Sequence, residues 1–167
     1  MDYTELLVEA RERSGIPGMI DRGPYYVRNA ERMLEKALKV GAMEKCVTLI
    51  TDDQGNADLP DDFLELRRDE DAKVNGATLE TNVPLGTLDI RYYAKLPSVE
   101  TYGTNWLLDA EPELYMQAVL YQVYASNGRP QEAAAALQIA QAMAEAVTNA
   151  DIRARFLSRA VTRRAPY

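Results

Sequence analysis

A chain of 167 residues that is 47% hydrophobic and 27% charged carries enough apolar surface to fold as a single domain. That composition excludes a disordered tail, a collagen-like fibre and a disulfide scaffold. There is no histidine and one cysteine, Cys46, which removes Ser-His and Cys-His nucleophile pairs, Cys/His zinc sites and an intramolecular disulfide. The 26 acidic and 19 basic residues give a net charge of −7, unevenly placed. Residues 151–167 hold five arginines and one aspartate, which leaves 25 acidic and 14 basic residues, a balance of −11, in residues 1–150. An acidic body repels nucleic acid and anionic lipid, whereas the basic end, with Phe156, Leu157 and Val161 among its arginines, suits docking on an acidic partner. No apolar run reaches the roughly 18–20 residues that span a bilayer. The N-terminal MDYTELLVEARER lacks the basic-then-apolar order of a signal peptide, so a soluble protein made in the cytoplasm is expected.

The chain reads as helices, then short strands, then helices. Asp2 with Glu5 forms a capping-box pattern ahead of Tyr3, Leu6, Leu7 and Ala10 at helical spacing, and Gly15 with Pro17-Gly18 ends that helix. Pro24 opens a second helix with Tyr26, Ala30, Met33, Leu34, Ala37 and Leu38 on its apolar face and Glu31, Arg32, Glu35, Lys36 and Lys39 opposite, stopping at Gly41. Residues 45–51 (KCVTLIT) read as a strand with Cys46 as a small core residue, followed by the turn residues 52–56 (DDQGN). Asn75-Gly76 suits a tight hairpin, and LDIRYYA at 88–94 suits a strand with one wet face. Three to five short strands in one small antiparallel sheet are expected.

In the last third, Asn105 is placed to cap a turn starting at Trp106, and Pro112 opens a helix. From Leu114 to Ala125 that helix is polar only at Gln117 and Gln122, so it should be buried on several sides. Asn127-Gly128-Arg129-Pro130 breaks the chain before an Ala-rich helix over 131–148, whose Ala136, Ala140, Met143 and Val147 form a stripe that a second helix can approach closely. The expected architecture is a mainly α (α+β) fold: a helical bundle with a long C-terminal αα-hairpin and a small antiparallel β insertion around residues 44–95. One domain over residues 1–150 is followed by a basic tail over 151–167.

Carboxylates are the only catalytic resource. Asp52, Asp53, Asp58, Asp61, Asp62 and Glu65 lie close in sequence, and a glycosidase would need two of them across a sugar, one with a raised pKa. A solvated acidic turn is the plainer reading. The ten tyrosines, including Tyr92-Tyr93 beside Arg91 and Lys95, fit core packing or a protein interface better than base stacking in so acidic a chain. There is no Walker A, GxGxxG or HExxH motif. No catalytic, cofactor or metal residue is assigned, and no enzyme is expected.

Three stretches, NADLPDDFLEL (56–66), LDIRYYAKLP (88–97) and TNWLLDAEPELY (104–115) running into an apolar helix, occur in an order and spacing that resemble the head-to-tail adaptor proteins of tailed bacteriophages, also called connector or tail accessory proteins. The matching positions are Leu59, Pro60, Phe63, Tyr92, Tyr93, Asn105, Trp106 and Leu107, and the resemblance covers roughly residues 1–145. It implies a virion structural protein at the head–tail junction. Such subunits form a ring, usually of twelve, beneath the portal protein, extend the DNA channel without binding DNA specifically, and offer a surface to the next tail component, a nozzle or stopper. Relatives grip the portal with a C-terminal extension. Carried over, that role falls to Arg153, Arg155, Phe156, Arg159, Arg163 and Arg164, in a tail that would order on docking. The alternatives are a cytoplasmic helical interaction or regulatory protein and a carboxylate-dependent glycan hydrolase.

Overall fold

The computed structural model describes residues 1–67 and 72–162, with side chains in the last helix as far as Phe156. The chain divides into two compact units, one formed by Met1–Val40 with the chain from Leu96 onward, the other by Gly41–Lys95.

The first unit is helical. Helix α1 (Tyr3–Ser14) starts at the expected capping box. Asp2 Oδ1 accepts the Glu5 N–H at 2.8 Å, and Glu5 Oε2 accepts the Asp2 N–H at 2.9 Å. It ends at Gly15, whose φ of 63° closes the last turn. Helix α2 (Gly23–Ala37) has Pro24 in its first turn. It stops at Ala37 because Leu38 turns extended and is itself buried; Gly41 instead opens a 3₁₀ turn over Gly41–Met43. Two short helices, α3 (Val99–Tyr102) and α4 (Trp106–Ala110), lead into α5 (Pro112–Ser126). As its composition requires, α5 is buried along most of its length, through Leu114, Tyr115, Met116, Ala118, Val119, Leu120 and Val123, and it packs against α1, α2, α4 and α6.

Helix α6 (Pro130–Thr162) is much longer than the expected 131–148. No glycine or proline interrupts those residues, and Asp151 pairs with Arg155 one turn on, which supports a helix locally. The stretch expected to order only on docking is therefore already helical as far as Thr162. Ala133, Ala136, Ala140 and Ala144 recur every three or four residues on the buried face. Met143 and Val147, read as part of the stripe, are only half-buried.

The second unit overturns the expected fold class. Among the described residues it holds six strands in two sheets rather than one small insertion, so the chain is a mixed α+β fold, 55% helical, and not a helical bundle with a hairpin. Strands β1 (Glu44–Ile50), β6 (Thr87–Ala94) and β3 (Phe63–Leu66) form one antiparallel sheet in the order β1-β6-β3. Strands β2 (Asn56–Asp58), β5 (Thr78–Thr81) and β4 (Ala72–Asn75) form the other, in the order β2-β5-β4. Both contribute to one apolar cluster of Leu49, Ala57, Leu79, Ile90, Tyr92 and Ala94, with Val47, Leu59, Phe63, Leu66, Ala72 and Leu88 packed around it. The β4–β5 hairpin was expected, but β2 (NAD) is too short to show alternation, which is why a separate second sheet escaped the sequence pattern.

Local details differ as well. The β4–β5 hairpin turns at Gly76-Ala77, with Asn75 paired to Thr78, one residue later than Asn75-Gly76. Only Gly76 takes a positive φ, 64°, as a type II′ loop needs at its first residue. Cys46, opposite Arg91 on β1, is exposed and not a core residue. At Gly55 (φ 82°) a Cβ would lie 2.3 Å from the Thr81 carbonyl oxygen, so the turn before β2 requires glycine. No helix among the described residues is long and apolar enough to cross a membrane.

Candidate functional site

The polar centre of the helical unit lies where the chain returns from residue 95. Glu31, one turn before Glu35 on α2, is buried, and its Oε1 accepts the Val99 N–H at 2.9 Å and the Tyr115 hydroxyl at 2.7 Å. Glu35 Oε1 accepts the Leu96 N–H at 3.0 Å. Two successive turns of α2 thus hold residues 96–99 by their backbone. Asn105 completes the network. Its Oδ1 accepts the Leu107 and Leu108 N–H groups as the cap of α4, and its Nδ2 donates to the Pro97 carbonyl at 2.8 Å. Desolvation by burial raises the pKa of Glu31, opposed in part by the Val99 and Tyr115 hydrogen bonds. Burial, then the nearby Glu31 charge and its hydrogen bond, push the Tyr115 hydroxyl far upward, so it stays a donor.

Sequence reading placed Glu31 on the wet face of α2 and missed this role. The signal was present: Val27, Glu31, Leu34 and Leu38 recur at i, i+4, i+7 and i+11, which sets Glu31 inside the apolar stripe.

In the β unit, Asp62 accepts the Tyr92 hydroxyl at 2.8 Å and pairs with Lys45. Burial works to raise the Asp62 pKa, but the Lys45 and Tyr92 hydrogen bonds and the Lys45 charge outweigh it and hold the carboxyl below its usual range. Tyr92, by burial first and then by its bond to Asp62, is pushed up to about 12. Asp52 is also lowered, chiefly by the Asn56 N–H, as it closes its turn with Oδ1 on Gln54 and Asn56. Both shifts run opposite to what a general acid requires.

The residues singled out by resemblance fall into three places. Leu59, Pro60, Phe63, Tyr92 and Tyr93 lie in the β unit. There Phe63 stacks on Tyr92 with centroids 5.7 Å apart, Leu59 packs on the same cluster, the Pro60 carbonyl accepts the Phe63 N–H, and Tyr93 is half-buried on β6. Asn105, half-buried Trp106 and fully buried Leu107 form the α4 cap.

The third group lies on α6. Arg153 and Phe156 are exposed, Phe156 by 67%, and Arg155 is half-buried against Asp151. Arg159 falls within the helix, while Arg163 and Arg164 lie outside the described residues.

The family model described as SU10 adaptor protein matches residues 81–164, half of the chain. The match takes in β6, α3, α4, α5 and α6, hence the LDIRYYAKLP and TNWLLDAEPELY stretches and the whole arginine-rich segment to Arg164, and begins after NADLPDDFLEL. No curated protein matches the chain.

Proposed function

The chain belongs to the SU10 adaptor protein family, a phage adaptor family, and on that premise we propose that it is the head-to-tail adaptor of a tailed phage virion. In this reading it assembles as a ring of twelve beneath the portal protein, extends the DNA channel, and receives the next tail component, a nozzle or stopper. The family is a structural one, and no reaction is assigned to the chain.

The observation that carries the reading is the uncovered end of α6. With 33 residues against the 15 of α5, α6 is about 50 Å long and its neighbour about 22 Å. Among the residues whose side chains are described, its last buried alanine is Ala144. Beyond it, Ile152, Arg153 and Phe156 are exposed on a helical, net-basic segment. Arginine and aromatic side chains presented together are the usual anchors of a protein interface. We assign portal docking to this segment: Arg153, Arg155, Phe156 and Arg159, continuing to Arg163 and Arg164.

Two further features support the reading. The −11 balance of residues 1–150 suits a wall past which DNA must slide, because tight binding comes from lysine and arginine on phosphates. A closed ring needs two unlike faces on each subunit, and a chain with an acidic body and a basic helical end has them.

Binding of the purified full-length chain to purified portal protein, compared with a chain truncated after Asn149, tests this. The truncated chain should fold, since the buried alanines of α6 remain, and should not bind the portal. Unchanged portal binding by the truncated chain would overturn the docking assignment. Recovery of host regulatory proteins in place of portal and tail proteins would favour a regulatory role.

A further inference from the structure

One end of the β1–β6 pair bears an apolar tip. Ile50, at the end of β1, is 80% exposed, Leu85 is 79% exposed, and Val83 is 43% exposed. Backbone pairing brings Ile50 and Leu85 to the same end, and the Val83 side chain lies against Gly86, where a Cβ would be 2.9 Å from its Cγ1. Ile50 pairs with Thr87 in register, the Leu85 N–H donates to the Asp52 carbonyl at 2.8 Å, and the Thr51 N–H donates to the Gly86 carbonyl at 3.0 Å. The buried Thr51 hydroxyl accepts the Gly86 N–H at 2.9 Å. Leu85 is held at a φ of 49°, the only positive φ outside glycine among the described residues. A leucine kept in the left-handed region by fixed hydrogen bonds, with its side chain in water, is disfavoured twice, by backbone strain and by exposure.

Charge shows what would cover it. Asp52 and Asp53 follow Ile50 after the buried Thr51 and are exposed, and Asp58 is exposed on β2. The cations of this sheet sit toward its other end, with Lys45 opposite Tyr92, Arg91 opposite Cys46, and Lys95 just past β6. An apolar tip rimmed by carboxylates complements an apolar socket rimmed by lysine and arginine, and it repels phosphate.

We propose that the Ile50–Val83–Leu85 tip is the surface that seats in a basic-rimmed apolar socket on the next tail protein. The proposal rests on the adaptor reading and adds to it the surface and the chemistry of the partner. Leu85 is the central anchor, and Asp52 and Asp53 orient the approach.

The test uses phage particles built with Leu85→Asp or Leu85→Gly, in which the chain and the distal tail proteins are quantified by mass spectrometry. The glycine variant relieves the backbone strain while removing the side chain, so its loss of function cannot be assigned to misfolding. Both variants should remain on DNA-filled heads at the wild-type level and carry about 30-fold less of the next tail protein, the loss expected for one anchor side chain. A benzophenone amino acid at position 85 should crosslink to that protein at an apolar site flanked by lysine or arginine. Complete tails at the wild-type level, loss of both variants from the heads, or crosslinks to a second copy of this chain or to DNA would each overturn the proposal. Absence of the wild-type chain from particles would instead remove the adaptor reading on which it rests.

Discussion

The Tyr115 hydroxyl donates to Glu31 Oε1 across 2.7 Å, and both residues are buried in the helical unit. The same carboxylate oxygen accepts the Val99 N–H, so one side chain on α2 fixes both α5 and the start of α3. Removing it leaves two buried donors without an acceptor. Glu31→Ala should therefore lower stability by about 2–3 kcal/mol, measured by urea unfolding.

Glu31 also gives the fold a distinctive pH term. Its folded pKa lies above the ordinary 4.5, because burial disfavours the charge. A carboxyl shifted upward stabilises the fold fully below its unfolded pKa, and that contribution is lost as pH rises through the folded value. Glu31→Gln stays neutral throughout. Its stability relative to wild type should therefore climb as pH is raised from about 4 to about 7. A difference that does not change with pH would show that Glu31 ionises without cost.

The Asp62–Tyr92–Lys45 group behaves in the opposite sense. With its pKa held below 3.8, Asp62 contributes stability above that value, lost as pH falls through the lower folded pKa. Asp62→Asn should cost about 1 kcal/mol near neutral pH, a modest figure because solvent screens the exposed Lys45, and nothing in strong acid. Tyr92, raised from 10.0 to about 12, adds a second window: its contribution is present below 10 and fades as pH rises toward 12. Tyr92→Phe should abolish that alkaline loss, as read by thermal unfolding across the range.

Gly55→Ala forces a methyl group to within 2.3 Å of the Thr81 carbonyl oxygen at a φ of 82°. The β2–β5 pairing must shift to admit it. Stability should drop by about 2 kcal/mol. Hydrogen exchange at the Thr81 N–H, which donates to Gly55 O at 2.9 Å, should accelerate more than exchange at buried α5 amides.

On α6, Arg153→Glu and Phe156→Asp alter exposed side chains and should leave thermal stability unchanged. Each should weaken portal binding by about tenfold to a hundredfold, as expected for interface anchors. Titration calorimetry with purified portal protein measures it.

Sequence alone supplied the starts of α1, α2, α4 and α5 and the end of α1, because caps are local chemistry: the Asp2–Glu5 box, Gly15, Pro24, Asn105 and Pro112 each act within a turn. It also supplied the buried character of α5, since a helix with two polar residues in a dozen has no wet face. What escaped it was set by tertiary contact. β2, three residues long, is defined by its pairing with β5 across the intervening β3 and β4, and Glu31 is buried only because Tyr115 and Val99 meet it there. Leu85 gave no signal at all, since a positive φ at leucine is imposed by the Asp52 and Thr51 bonds around it. The arginine-rich segment was visible as composition, while its helical form as far as Thr162 depended on the absence of glycine and proline from those residues.

The adaptor role itself is tested most directly by counting this chain in purified virions, against the portal protein, with isotope-labelled peptide standards. The account predicts one copy per portal subunit, in particles that carry tails. Virions that contain the portal and complete tails without this chain would contradict it.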